Sequence, residues 1–121
     1  MTKSPEFLLA YILESIGHAE DHLAGITQDE YLKDVRIQDA VLRRLEIIGE
    51  AVKNLPSDLF SSHPEIPWKQ IAGMRDILIH EYFGVDLLET WETVMKDLPP
   101  LRNAVTDMLS RLKSRKSGGA N

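Results

Sequence analysis

The stretch DVRIQDAVLRRLEIIGEAVKNL, residues 34–55, decides the fold class. Val41, Leu42, Leu45, Ile48, Gly49 and Val52 recur at intervals of three and four, the period of an α-helix with one buried face. Asp34 stands where an N-cap acceptor is needed, so the spacing predicts a helix from there to about Leu55. Gly49 interrupts the stripe with the smallest residue, which predicts a close crossing by another helix. On both sides of this segment the same period recurs and alternation of period two does not.

Upstream, Ser4 and Pro5 form a cap followed by proline at the first helical position, and Phe7, Leu8, Tyr11, Ile12, Ser15, Ile16, Ala19 and Leu23 trace an amphipathic helix over 4–24. After Gly25, Thr27 with Asp29 and Glu30 predicts a short capped helical turn. Downstream, PSDLFSSHPEIP, residues 56–67, holds three prolines and reads as a connection with at most one helical turn. Pro67 restarts a helix at its first position. Gly84 and Asp86 supply a break and a cap for another helix, Leu87 to about Leu98, and Pro99 and Pro100 break or kink it. Val105, Met108, Leu109 and Leu112 continue the helical spacing. The result is an all-α, up-and-down bundle with a split, proline-kinked last helix, one domain over 1–113, and a frayed, flexible tail over 114–121.

Composition narrows the function classes. The 121 residues contain no cysteine, which removes disulfides, thiolate metal sites and cysteine nucleophiles. Fourteen Lys and Arg against 19 Asp and Glu leave a net charge of −5, unlike a broadly basic DNA-binding domain. A narrow, locally basic cleft remains compatible with that balance. Glu6 and Glu14 interrupt the first apolar segment, and nothing approaches the roughly eighteen uninterrupted apolar residues of a membrane span. The expectation is a soluble, cytoplasmic chain with no membrane association.

The chemistry concentrates in RDILIHEY, residues 75–82. On a helix of 3.6 residues per turn, His80 is rotated by about 140° from Arg75, while Tyr82 returns to within about 20° of it. Asp76 is four residues before His80 and can reach its ring. Either the helix ends near His80 and lets the imidazole swing back, or the arginine of one subunit meets the histidine of another across a two-fold axis. A guanidinium, an imidazole and a phenol suit phosphodiester chemistry: a phosphate clamp, a proton carrier and a hydroxyl acceptor. Each also has a structural reading, since a histidine at a helix end commonly answers the dipole, and Asp76 can form a surface pair with His80.

Other polar clusters read as structural. Arg43 and Arg44 with Glu46 and Glu50 have the spacing of a solvated face. Trp68 and Trp91 are expected as core or interface anchors. Glu14, His18 and His22 have metal-ligand spacing on the first helix, but no further ligands accompany them, so no metal and no cofactor is expected.

R-x4-H-x-Y, here Arg75, His80 and Tyr82, lies within HPEIPWKQIAGMRDILIHEYFGVDLLETWETVMKDLPPLRNAV and is preceded by RRLEIIGEAVKNLP. Over about Asp39 to Val105 these blocks resemble, in the same order, the HepT-like branch of the HEPN proteins. The resemblance implies a metal-independent endoribonuclease, the toxin of a toxin–antitoxin pair. It implies a homodimer, with two Arg–His sets lining one cleft. The cognate partner would be a minimal nucleotidyltransferase antitoxin that silences the toxin by attaching AMP to Tyr82. Arg75 and His80 are carried over as catalytic and Asp76 as supporting. Position 76 in this motif is usually polar, often Asn, so Asp76 is a departure, and its carboxylate beside a phosphate site is expected to weaken RNA binding. The alternative is a non-catalytic helical subunit that holds a nucleotide or its nucleotidyltransferase partner in the same cleft.

Overall fold

A computed structural model describes residues 3–81 and 84–118. Tyr82, the expected acceptor of AMP, lies outside the described residues. Among them all regular structure is helical, as the periodicity predicts.

The local chemistry of the sequence starts the helices. α1, Pro5–Leu23, begins where the Ser4 side chain accepts from the Phe7 N–H at 3.1 Å. Gly25 then takes φ 74°, the left-handed conformation open to glycine, and turns the chain. α2, Gln28–Lys33, opens with a reciprocal box in which Thr27 and Glu30 satisfy each other's backbone N–H. Asp34 caps α3, Val35–Lys53, by accepting from the N–H groups of Arg36 and Ile37 at 3.0 and 3.3 Å.

α3 is the central element and packs against both α1 and α4, Trp68–His80. Its buried residues include the expected Val41, Leu42, Leu45, Ile48, Gly49 and Val52. The predicted crossing is at Gly49, where an added Cβ would stand 2.9 Å from both the Arg75 backbone nitrogen and the Ile71 carbonyl oxygen. α1 also packs on the last helix, to which Glu20 is joined by a two-pronged pair with Arg102, one prong of which is Nη1 donating to Oε2 at 2.9 Å.

The 56–67 connection is more ordered than its prolines suggest. Ser57–Ser62 forms a six-residue 3₁₀ helix, about two turns at three residues per turn, rather than a single turn. Phe60 stacks on Trp68 with ring centroids 4.7 Å apart, and the Trp68 indole N–H donates to the His63 carbonyl at 2.8 Å. Trp68 is therefore the expected core anchor, 7% exposed. Pro67 is the N-cap of α4 and not its first residue.

The prolines near residue 100 do not break the helix. α5, Leu87–Glu92, capped by Asp86, passes into a π-helical turn, Thr93–Asp97, and then into α6, Leu98–Gly118. Pro99 and Pro100 cannot donate to the carbonyls one turn back. The wide turn immediately before them, with the Leu98 N–H bonded to the Thr93 carbonyl, takes up the misfit and the chain stays helical. α6 also extends beyond the last apolar spacing at Leu112, with Lys116 Nζ 3.2 Å from Glu6 Oε1 of α1.

α1 departs from its predicted stripe. Leu9 is fully buried, whereas Phe7 and Tyr11 are 45% and 36% exposed. The buried face is rotated toward Leu8, Leu9, Ile12 and Ile16, because α1 is sandwiched between α3 and α6. Among the described residues no helix is long and apolar enough to cross a membrane.

Candidate nuclease site

Gly49 brings the α4 backbone against α3 at Arg75, and this contact determines what the guanidinium meets. Its Nε lies 2.6 Å from Oε2 of Glu50, the residue after Gly49. Glu50 is itself held by Asn54, whose Nδ2 donates to Glu50 Oε1 at 3.2 Å. On the other side, Arg75 Nη1 donates to Asp76 Oδ1 at 2.9 Å. The Arg75 side chain is one-third exposed, so it is oriented by carboxylates on two helices while part of it still faces solvent.

α4 ends on His80, with Glu81 leaving helical geometry while its N–H still bonds to the Ile77 carbonyl at 2.9 Å. His80 is therefore still helical, an exposed residue of the last turn of α4. Asp76 sits one turn before it. The Arg75 hydrogen bond holds the Asp76 carboxyl below its ordinary range, with Lys53, Arg75 and His80 adding positive charge nearby. The Asp76 carboxylate thus pairs with Arg75 in place of the expected surface pair with His80.

Within one chain the structure joins Arg75 to Asp76 and places His80 at the end of the same helix. Glu50, read from sequence as part of a solvated face, is the addition. The available signal was Gly49: a close crossing puts the next residue of α3 beside α4. A second addition is a concave surface between α1 and α3 with a cavity volume of about 360 Å³, which reaches Arg75 and is flanked by Phe7 and Tyr11.

The remaining clusters resolve locally. Arg43 pairs with Glu46 at 3.1 Å, as the solvated-face reading expects. Glu14 and His18 are 3.5 Å apart, and no group of three or more His, Asp or Glu side chains with metal-holding geometry occurs among the described residues. Tyr31 is fully buried, its hydroxyl 2.7 Å from Thr90 Oγ1, and burial pushes its phenol pKa up.

Comparison with known proteins gives the geometry a family. The family model described as "Ribonuclease HepT-like" matches residues 12–108. A "Putative RNase" of Caldanaerobacter subterraneus subsp. tengcongensis is 45% identical over 111 residues, covering 92% of this chain and 99% of that one. The "Probable ribonuclease HepT" of Thermococcus cleftensis is 48% identical over 102 residues, 84% of this chain and 93% of that one. A longer Methanocaldococcus jannaschii protein, named for a gamma-glutamylcyclotransferase and a putative RNase, is 46% identical over 121 residues. The chain spans about half of that relative, 54% of its length. No solved structure matches the chain. With most of its length matched by the family model and nearly full-length relatives at this identity, the chain belongs to the HepT-like ribonuclease family.

Proposed function

We propose that this protein is a metal-independent RNA endonuclease, acting as the toxin of a pair whose antitoxin is a minimal nucleotidyltransferase. The observation that carries the reading is the placement of Arg75 and His80: a partly exposed guanidinium held at a helix crossing, and a histidine on the terminal turn of the same helix. Family membership supplies the substrate class.

The reaction that suits these groups is transesterification. The RNA 2′-oxygen attacks the adjacent phosphorus as its proton leaves to an imidazole. The bond from phosphorus to the 5′-oxygen breaks, and that oxygen takes up a proton. Arg75 stabilises the charge that builds on the non-bridging oxygens. One histidine can remove the first proton, and a second delivers the other. A homodimer provides the second His80, and it also relieves the divergence of about 140° between Arg75 and His80 on one helix. Ile77 and Ile79, 53% and 41% exposed on α4, support a contact there, since apolar side chains flanking the motif gain from burial.

In this scheme the phosphate must compete with Glu50 and Asp76 for Arg75. That same pairing favours the second reading, a non-catalytic subunit in which Arg75 is a structural ion-pair partner and the nucleotidyltransferase docks on the cleft. Silencing by AMP is assigned to Tyr82, where an anionic adduct near the motif would repel RNA phosphates. The purified chain incubated with RNA in EDTA, beside His80→Ala, separates the readings. Cleavage by the first and not by the second supports the nuclease, and RNA left intact by both, in EDTA and again with a divalent metal restored, supports the non-catalytic subunit.

A further inference from the structure

The exposed aromatic residues of α1 are placed where a nuclease would use them. Phe7 and Tyr11 are turned out of the core, 5.9 Å apart and inclined at 74°, and both line the concavity between α1 and α3 that ends at Arg75. Its volume, about 360 Å³, lies in the range of small-ligand sites, roughly 300–1,000 Å³. Lys3 Nζ lies 4.8 Å above the Phe7 ring, and Arg43 enters from α3. The charged lining is Lys3, Arg43 and Arg75 against Glu46 and Glu50, a local excess of cations on a chain whose net charge is −5. Both carboxylates are already paired with arginines, Glu46 with Arg43 and Glu50 with Arg75.

We infer that this concavity is a nucleotide subsite of the nuclease, in which an unpaired RNA base stacks on the Tyr11 ring with Phe7, inclined at 74° to it, against the base's edge, while Arg43 and Lys3 hold the flanking phosphate. The inference rests on the proposed RNA-cleaving function and adds the part of the chain that holds substrate away from the scissile bond. Aromatic faces interleaved with cations are how proteins grip single strands without reading sequence, because every base offers a π face. Continuity with Arg75 gives the subsite its direction: the next phosphate along the strand reaches the guanidinium. A second copy of the chain suits this surface less well, since five charged side chains line it and the centres of protein interfaces are depleted of charge. The subsite also explains how an acidic chain can bind an anionic polymer through a narrow strip.

The test uses the full chain carrying His80→Ala, so that RNA is not cut, with and without Tyr11→Leu, Tyr11→Phe or Arg43→Gln. Fluorescence anisotropy measures binding of a labelled single-stranded oligoribonucleotide and of an abasic oligomer of equal length. Sedimentation velocity and circular dichroism report assembly and fold. Tyr11→Leu is expected to weaken binding of the base-bearing strand about tenfold, the size of one lost stacking contact, and to leave the abasic strand unchanged. Tyr11→Phe should restore the affinity, and Arg43→Gln should weaken both strands alike. Equal affinities for the base-bearing strand with and without Tyr11→Leu, or the same loss on both strands, would overturn the subsite. So would weaker RNA binding that follows a loss of dimer, which would make the surface a contact between copies. Cleavage by the otherwise unmodified chain is assayed in parallel. Cutting that persists with an unchanged KM in Tyr11→Leu refutes the subsite alone, whereas absence of cutting refutes the nuclease and leaves the binding result to stand by itself.

Discussion

Gly49 of α3 lies so close beneath Arg75 of α4 that a methyl group at position 49 would stand 2.9 Å from the Arg75 backbone nitrogen. Gly49→Ala gains helix propensity of up to about 1 kcal/mol but meets backbone on the neighbouring helix, and overpacking of this kind costs roughly 1–3 kcal/mol. The clash should win. Denaturant unfolding should show a net loss, with RNA cleavage falling further than stability because Arg75 is displaced from its carboxylates. Gly17→Ala is the control: nothing lies within 4 Å of its added Cβ, so the same change in α1 should be neutral or stabilising.

The two carboxylates on Arg75 orient it and also occupy it. Asp76→Asn keeps a hydrogen-bond acceptor and removes a charge, and Glu50→Gln does the same from α3. Each should strengthen RNA binding by a few-fold and make it less steeply dependent on the two acids' field. The side chains of Glu50 and Asp76 are about half exposed, 48% and 52%, so solvent screens both pairs and stability should change little. Binding isotherms at fixed salt check this, and unchanged affinity in both variants would mean that phosphate does not compete for the guanidinium.

A pH-sensitive contact lies away from the site. His63 is 17% exposed, with Nδ1 2.9 Å from Glu65 Oε1 and Nε2 2.7 Å from Asp107 Oδ2 of α6. The Asp107 hydrogen bond, then that to Glu65, raises the His63 pKa above its ordinary value. A raised folded-state pKa stabilises the fold fully below the unfolded value, about 6.5, and the contribution is lost as pH rises through the folded value. Glu65 and Asp107 are shifted down by His63, so their share is present above the ordinary carboxylate range and lost as pH falls through the depressed values. The margin of the native chain over His63→Gln should therefore be widest between about pH 4.5 and 6.5 and narrow above. Thermal melts of the two proteins across pH 4 to 9 measure it, and a margin that grows toward alkaline pH would contradict the charged-imidazole bridge.

Tyrosine accessibility bears on the proposed silencing by AMP. Tyr31 of α2 is sealed against α5, bonded to Thr90 and 5.7 Å from the Trp91 ring, so an incoming nucleotide cannot reach its oxygen in the folded protein. Incubation with the partner enzyme, ATP and magnesium should add AMP at Tyr82, and Tyr82→Phe should remain unmodified and active. Peptide mass spectrometry locates the adduct. AMP on Tyr11 instead would move regulation to the α1 concavity and release Tyr82 from that role.

The parts of this fold legible in the sequence are those decided within a few residues. Ser4, Thr27, Asp34 and Asp86 each cap the helix they precede because the acceptor and the N–H it satisfies lie within one turn. Gly49 was legible for a related reason: a lone small residue in an apolar stripe has few other uses. The orientation of α1 was not, because Phe7 and Tyr11 fit its hydrophobic period as well as Leu9 does, and only the positions of α3 and α6 decide which are buried. Pro99 and Pro100 announced a misfit without saying where it would be absorbed. Gly49 signalled that Glu50 would lie beside another helix, but not that Arg75, twenty-five positions further on, would be its partner. The His63 bridge to Asp107 is invisible to local spacing for the same reason.

In the proposed mechanism Arg75 and His80 cut RNA without a metal. Purified native chain, Arg75→Ala and His80→Ala are incubated with a labelled single-stranded RNA in EDTA, each first shown by circular dichroism to be folded. Cleavage by the native chain, reduced about 10²- to 10⁴-fold in His80→Ala and by a similar order in Arg75→Ala, is the predicted result. Cleavage that survives both substitutions, or that appears only when a divalent metal is restored, would rule that mechanism out.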